Sequence, residues 1–107
     1  MSVSALSSGL SGLQAYSRAL DSSGHNVANA NTNGFVPQQV SFQEQPAGGV
    51  IANISKAGSS LSASDASGTD LNSEVVQSIQ YKAGFELSAK IVKTSDELLG
   101  TLIDIKA

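Results

Sequence analysis

The side chains best able to do chemistry crowd into one short stretch: His25, the only histidine, is followed by Asn26, Asn29, Asn31, Thr32 and Asn33. A lone imidazole could act as a general base, but with no second histidine and no cysteine it has no partners for a zinc site. On the helical pattern described below it falls on the polar side, which predicts a surface or helix-end role. Asp96 and Glu97 are adjacent, so in a helix they point in different directions and form no acid/base pair. The many serines include no Gly-x-Ser-x-Gly turn, and Gly48-Gly49 lacks the lysine and helix of a phosphate loop. Asn53-Ile-Ser55 matches a glycosylation acceptor, a pattern short enough to arise by chance. With no nucleophile, acid/base pair or metal set, the sequence reads as non-enzymatic and without a cofactor.

The amides remain. Short side-chain amides can hydrogen-bond exposed backbone groups or equivalent amides on another copy. What they do depends on the elements that hold them.

The first of these elements is helical. Leu6, Leu13, Leu20 and Val27 recur every seven residues, and Val3 and Leu10 fill intervening positions of the same 3,4 pattern. A helix from roughly Ser2 to Asn29 follows, although the Ser, Ala and Gly on its other faces make its intrinsic propensity weak. The isolated chain is therefore expected to be only partly helical. Thr32-Asn33-Gly34 tolerates positive φ and can redirect the chain before Phe35 and Pro37. Val40 and Phe42 alternate with polar residues, as do Val50, Ala52 and Ile54 beyond a Gln45-to-Gly49 connection, which predicts a short β-hairpin. Ala57 to Gly68 is nearly all Ser, Ala, Gly and Asp and reads as a flexible loop.

The third region predicts a helix of about 36 residues, Leu71 to Lys106, or about 54 Å. Asp70 is placed as its N-cap, and Glu74 lies in the first turn, where negative charge suits the dipole. Lys82 with Glu86, Glu86 with Lys90 and Lys93 with Glu97 line a solvated face, at about 0.2–0.5 kcal/mol a pair. Gly84 interrupts the helix centre at about 1 kcal/mol relative to Ala. The apolar face is wide: Phe85, Val92 and Leu99 repeat every seven residues beside Ile91, Leu98 and Ile105, with Leu102 thickening the end. One N-terminal helix covers only part of that arc. Either neighbouring copies cover the rest or the middle segment folds back over it.

The fold class is thus mainly α: long N- and C-terminal helices packed as a coiled-coil-like pair, with a hairpin and loop between them. The segments are residues 1–35, 36–69 and 70–107 of a single structural domain. At 107 residues with 40% hydrophobic content, 5% aromatics and no tryptophan, any core is largely aliphatic and thin for a free monomer. A net charge of −3 gives no footprint for nucleic acid, and no apolar run approaches the ~20 residues that span a bilayer. The absence of cysteine fits either redox compartment.

Ser11-Gly-Leu-Gln-Ala15, Leu20-Asp21 and then Asn26-Val-Ala-Asn-Ala-Asn-Thr-Asn-Gly-Phe35 closely resemble the N-terminal signature of bacterial flagellar axial proteins, the subunits of rod and hook. Asp70-Leu-Asn-Ser-Glu-Val-Val76, Tyr81-Lys-Ala-Gly-Phe-Glu-Leu-Ser-Ala-Lys90 and Thr94-Ser-Asp-Glu-Leu-Leu99 are similar to the C-terminal helix of that family. Asn26, Asn29, Asn31, Thr32, Gly34 and Phe35 carry the turn motif. The resemblance implies a structural subunit of the flagellar rod that assembles helically around the export channel and contributes to torque transmission. Its partners would be other copies of itself, related rod and hook proteins, and the export apparatus in transit.

Composition alone reads as cytosolic, lacking the flanks of a cleavable secretory signal; the resemblance instead implies export without a cleaved signal, to the basal body in the periplasm. The assembly interface it implies comprises Val3, Leu6, Leu10, Leu13, Leu20 and Val27 against Phe85, Ile91, Val92, Leu98, Leu99, Leu102 and Ile105. The short middle segment is closer to proximal-rod proteins, while the C-terminal helix is as similar to distal-rod and hook helices. A non-filament helical adaptor, binding an export or assembly partner through the same apolar arc, is the alternative reading.

Overall fold

The computed structural model describes residues 2–46, 48–56 and 67–106, with side chains from 4 to 46, 48 to 56 and 67 to 101. The order is α1 (Ser2–Ala28), β1 (Gln38–Glu44), β2 (Val50–Lys56) and α2 (Leu71–Lys106). Both helices and the hairpin match the expected elements. The loop expected from Ala57 to Gly68 lies mostly outside the described residues.

α1 unwinds through a chain of local bonds. The Asn29 amide donates to the carbonyls of His25 and Asn26, Thr32 N to Asn29 O and Phe35 N to Thr32 O. Gly34 then turns the chain outward at φ 74°. A β-branched residue in that region costs about 1–2 kcal/mol. Gly34→Val is accordingly expected to lower the thermal midpoint followed by circular dichroism, and an unchanged midpoint would refute the strain. At the other junction Asp70 caps α2, accepting from Asn72 N at 3.1 Å, Ser73 N at 3.4 Å and the Ser73 hydroxyl at 3.0 Å.

β1 and β2 pair antiparallel, from Gln38 opposite Lys56 to Glu44 opposite Val50. The hairpin lies along α1, which is the common neighbour of α2 and both strands. Ser11 anchors the turn end, its hydroxyl accepting from Val50 N at 3.0 Å. Tyr16, Phe42 and Tyr81 stack in sequence, centroids 5.0 and 5.9 Å apart, and so join α1, β1 and α2. The molecule measures 66 × 24 × 14 Å.

The two helices meet differently from the leucine seam drawn from the sequence. Among the described side chains, the buried positions of α1 are Gly9, Gly12, Ala15, Ala19, Ser22, Ser23 and Asn26. Those of α2 are Glu74, Tyr81, Ser88 and Ser95, each seven residues from the next. A Cβ on Gly12 would lie 2.5 Å from Ser88 Oγ, and one on Gly9 2.8 Å from Val92 Cγ2, so the backbones approach too closely for large side chains. The leucines are pushed to the margin: Leu6, Leu13 and Leu20 are half-buried, while Leu10 and Val27 are 46% and 43% exposed. The periodicity correctly gave a helix, and the small residues beside it make the contact.

Gly84 finds its reason here. A Cβ at that position would run into the Tyr16 ring. Helix propensity alone predicts that Gly84→Ala stabilises by about 1 kcal/mol, whereas overpacking costs about 1–3 kcal/mol. Packing is expected to win, so thermal melting should place the variant below the parent. A higher midpoint would show that the ring moves aside freely.

Candidate assembly surface

The signature asparagine occupies the junction of the three segments. Asn26 is 1% exposed. Its Oδ1 accepts from Gln38 N at 2.7 Å and its Nδ2 donates to Gln38 O at 2.8 Å. The side-chain amide thus pairs with both backbone groups of the first β1 residue, as a neighbouring strand would. Nδ2 also reaches both carboxylate oxygens of Glu74, at 3.1 and 3.2 Å. Around this contact Thr69 Oγ1 donates to Asn26 O, Ser22 Oγ to Gln38 Oε1 and Ser23 Oγ to Glu74 O. One side chain therefore ties the end of α1, the start of β1 and the first turn of α2.

The node is polar yet satisfied: among the described residues no buried side-chain nitrogen or oxygen lacks a partner. Glu74 is buried at the N-terminal end of α2, where the helix dipole favours a carboxylate. Two turns on, burial and then the Glu74 charge push the Tyr81 phenol above its usual pKa, so the ring stays neutral within the aromatic stack. A polar cleft of about 410 Å³ opens beside the node between Gln38, Asp70, Ser73 and Gln77.

The rest of the turn motif is organised locally. Asn29 Nδ2 donates to His25 O at 2.9 Å, and the Thr32 hydroxyl donates to Asn29 Oδ1 at 3.1 Å. Phe35 sets its ring edge-on to His25, centroids 5.4 Å apart. The single histidine is thus exposed in the last turn of α1. Asn31, Thr32 and Gly34 are exposed.

The apolar arc expected on α2 divides. Phe85, Val92 and Leu99 are half-buried, whereas Ile91 and Leu98 are 41% and 54% exposed. Leu13 and Phe85 share one shallow groove with Gln14, Ser17 and Arg18. Val3, Leu102 and Ile105 have side chains outside the described residues. Of the two ways to cover the arc, the described part of the middle segment supplies little: the hairpin packs on α1 and meets α2 chiefly through Phe42 and the Asn26 node.

A further apolar strip was missed. Val76 and Ile79 are 55% and 63% exposed, each two residues from a buried position and therefore on roughly the opposite side of α2. Leu87, 61% exposed, continues the strip. The signal was in the sequence, since Val76, Ile79, Ala83 and Leu87 are themselves spaced three or four apart. The stronger repeats through Phe85 and Ile91 obscured it.

Comparison with protein families agrees with this architecture. Residues 3–35 match a family model described as flagella basal body rod protein, and residues 62–105 match one described as flagellar basal body rod FlgEFG protein C-terminal. The first covers α1 and the asparagine turn, and the second takes in most of α2. No individual curated protein matches the chain at a significant level.

Proposed function

Because this chain belongs to the family of flagellar basal-body rod and hook axial proteins, and is thus a structural component of the flagellum, we propose that it is a rod subunit that assembles helically with its own copies and related axial proteins. Its terminal helices would pack side by side around the export channel, and the packed helices would contribute to torque transmission. It would reach that position through the flagellar export apparatus. Contacts that repeat head to tail without closing propagate as a filament.

One observation carries the reading. The buried apolar side chains among the described residues are Ala15, Ala19, Pro37, Ala52 and Tyr81, while large apolar side chains such as Leu10, Val76, Ile79, Leu87 and Leu98 lie open. At about 25 cal/mol per Å² of apolar surface, three alanines, a proline and a tyrosine contribute little against backbone ordering. Assembly supplies the missing burial. The exposed residues on both sides of the helix pair suit a subunit with neighbours on more than one side.

Light scattering on size-fractionated protein at rising concentration tests this. Open-ended growth is expected; a discrete complex at every concentration would favour a single-partner adaptor. Amide exchange on the dilute chain should show weak protection from Leu6 to Leu13 that rises on assembly. Strong protection of that stretch before assembly would contradict coupled ordering.

A further inference from the structure

The asparagines at the exit of α1 are held very unequally. The Asn26 amide is buried and bonded at both of its atoms, and Asn29 is bonded at both as well. Asn33 is exposed, and its side chain has no hydrogen-bond partner among the described residues. The next residue, Gly34, is exposed at φ 74°, with open space where a Cβ would stand. Its backbone N–H also has no partner among the described residues.

We propose that Asn33-Gly34 is a site of spontaneous deamidation, which converts a neutral turn into a charged one without an enzyme. The Gly34 nitrogen, giving its proton to solvent base, attacks Cγ of Asn33. The new N–Cγ bond forms as the Cγ–Nδ2 bond breaks, and ammonia leaves with a proton from solvent. Water then opens the five-membered imide at either carbonyl, leaving aspartate or isoaspartate. One water is consumed and one ammonia released, with no oxidation.

Glycine matters because no side chain shields its nitrogen and its backbone rotates into geometries closed to other residues. The held amides of Asn26 and Asn29 cannot swing toward the following nitrogen. The position magnifies the consequence. A new carboxylate enters the turn of residues 29–37, which otherwise carries no charge. Isoaspartate also lengthens the backbone by one methylene between Asn26 and Gln38, whose pairing depends on the reach of that turn.

The test is to incubate the full chain at mildly alkaline pH and follow each asparagine-containing peptide by mass spectrometry. A synthetic peptide of residues 29–37 is incubated alongside as the unprotected reference. Asn33 is expected to convert within about tenfold of the rate in the peptide, with Asn26 and Asn29 unconverted over the same period. An Asn33 more than about tenfold slower than in the peptide would overturn the proposal, because the fold would then protect it. Conversion of Asn29 as fast as Asn33 would overturn it equally.

Discussion

Asn26→Asp is expected to dismantle the junction, although the replacement is nearly isosteric. Aspartate keeps an oxygen for Gln38 N but loses the Nδ2 donor that serves Gln38 O and the Glu74 carboxylate. A second negative charge then faces Glu74 at about hydrogen-bond distance in a buried site, and Gln38 O is left unpaired. Breaking a buried polar network in this way costs about 3–5 kcal/mol, a large share of the roughly 5–15 kcal/mol that stabilises a small domain.

The sign of the pH dependence follows from the same geometry. Burial beside Glu74 raises the folded-state pKa of the introduced acid, so its stabilising protonated form is present below the unfolded value and lost as pH rises. Urea denaturation followed by circular dichroism should show a deficit that shrinks on acidification. Asn31→Asp, on the exposed part of the turn, should sit near the parent. A variant at Asn26 as stable as the parent at neutral pH would mean that the node is incidental to the fold.

The second large effect is on assembly. Ile79→Asp and Leu87→Asp change side chains 63% and 61% exposed in the free chain, so the fold should tolerate both. Within a packed interface each would bury an unpaired charge at a cost of several kcal/mol, repeated in every subunit. Leu13→Asp and Leu99→Asp, at half-buried sites flanking the helix contact, should do the same with some loss of monomer stability. Lys56→Glu, exposed at the end of β2 and away from α2, is the control. Incorporation into isolated basal bodies is the measurement, with soluble expression scored beside it. Loss for all four apolar-site variants and retention for the control is expected; normal incorporation of all four would remove the self-assembly reading.

The long helices, the Asp70 cap, the Gly34 turn and the hairpin were legible because each rests on local rules. Periodicity, capping chemistry and β-alternation are written within a few residues of where they act. The helix contact was less legible. Hydrophobic patterning weights Leu and Val, so Gly9, Gly12, Ala15 and Ala19 look like background although they let the backbones approach. Gly84 looked like a defect because Tyr16, its reason, is on the other helix. Asn26 was identified as part of a motif, but its partners Gln38 and Glu74 depend on tertiary placement, which spacing along one helix does not encode. The outer strip of Val76, Ile79 and Leu87 could have been found, because it obeys the same periodic rule on the opposite side.

Asn26 and Glu74 are 48 residues apart along the chain, and that separation sets an order of events. A subunit emerging from a narrow conduit with its N-terminus leading would present residue 26 long before residue 74. Until the later residue arrives, the amide has no carboxylate to meet, and the first strand has lost part of what aligns it. Closing so long a loop gains little before both ends are present. On the proposed route through the export apparatus, the node would act as a delay: the leading helix and strand would stay pliable during passage and lock only once most of the polypeptide is through.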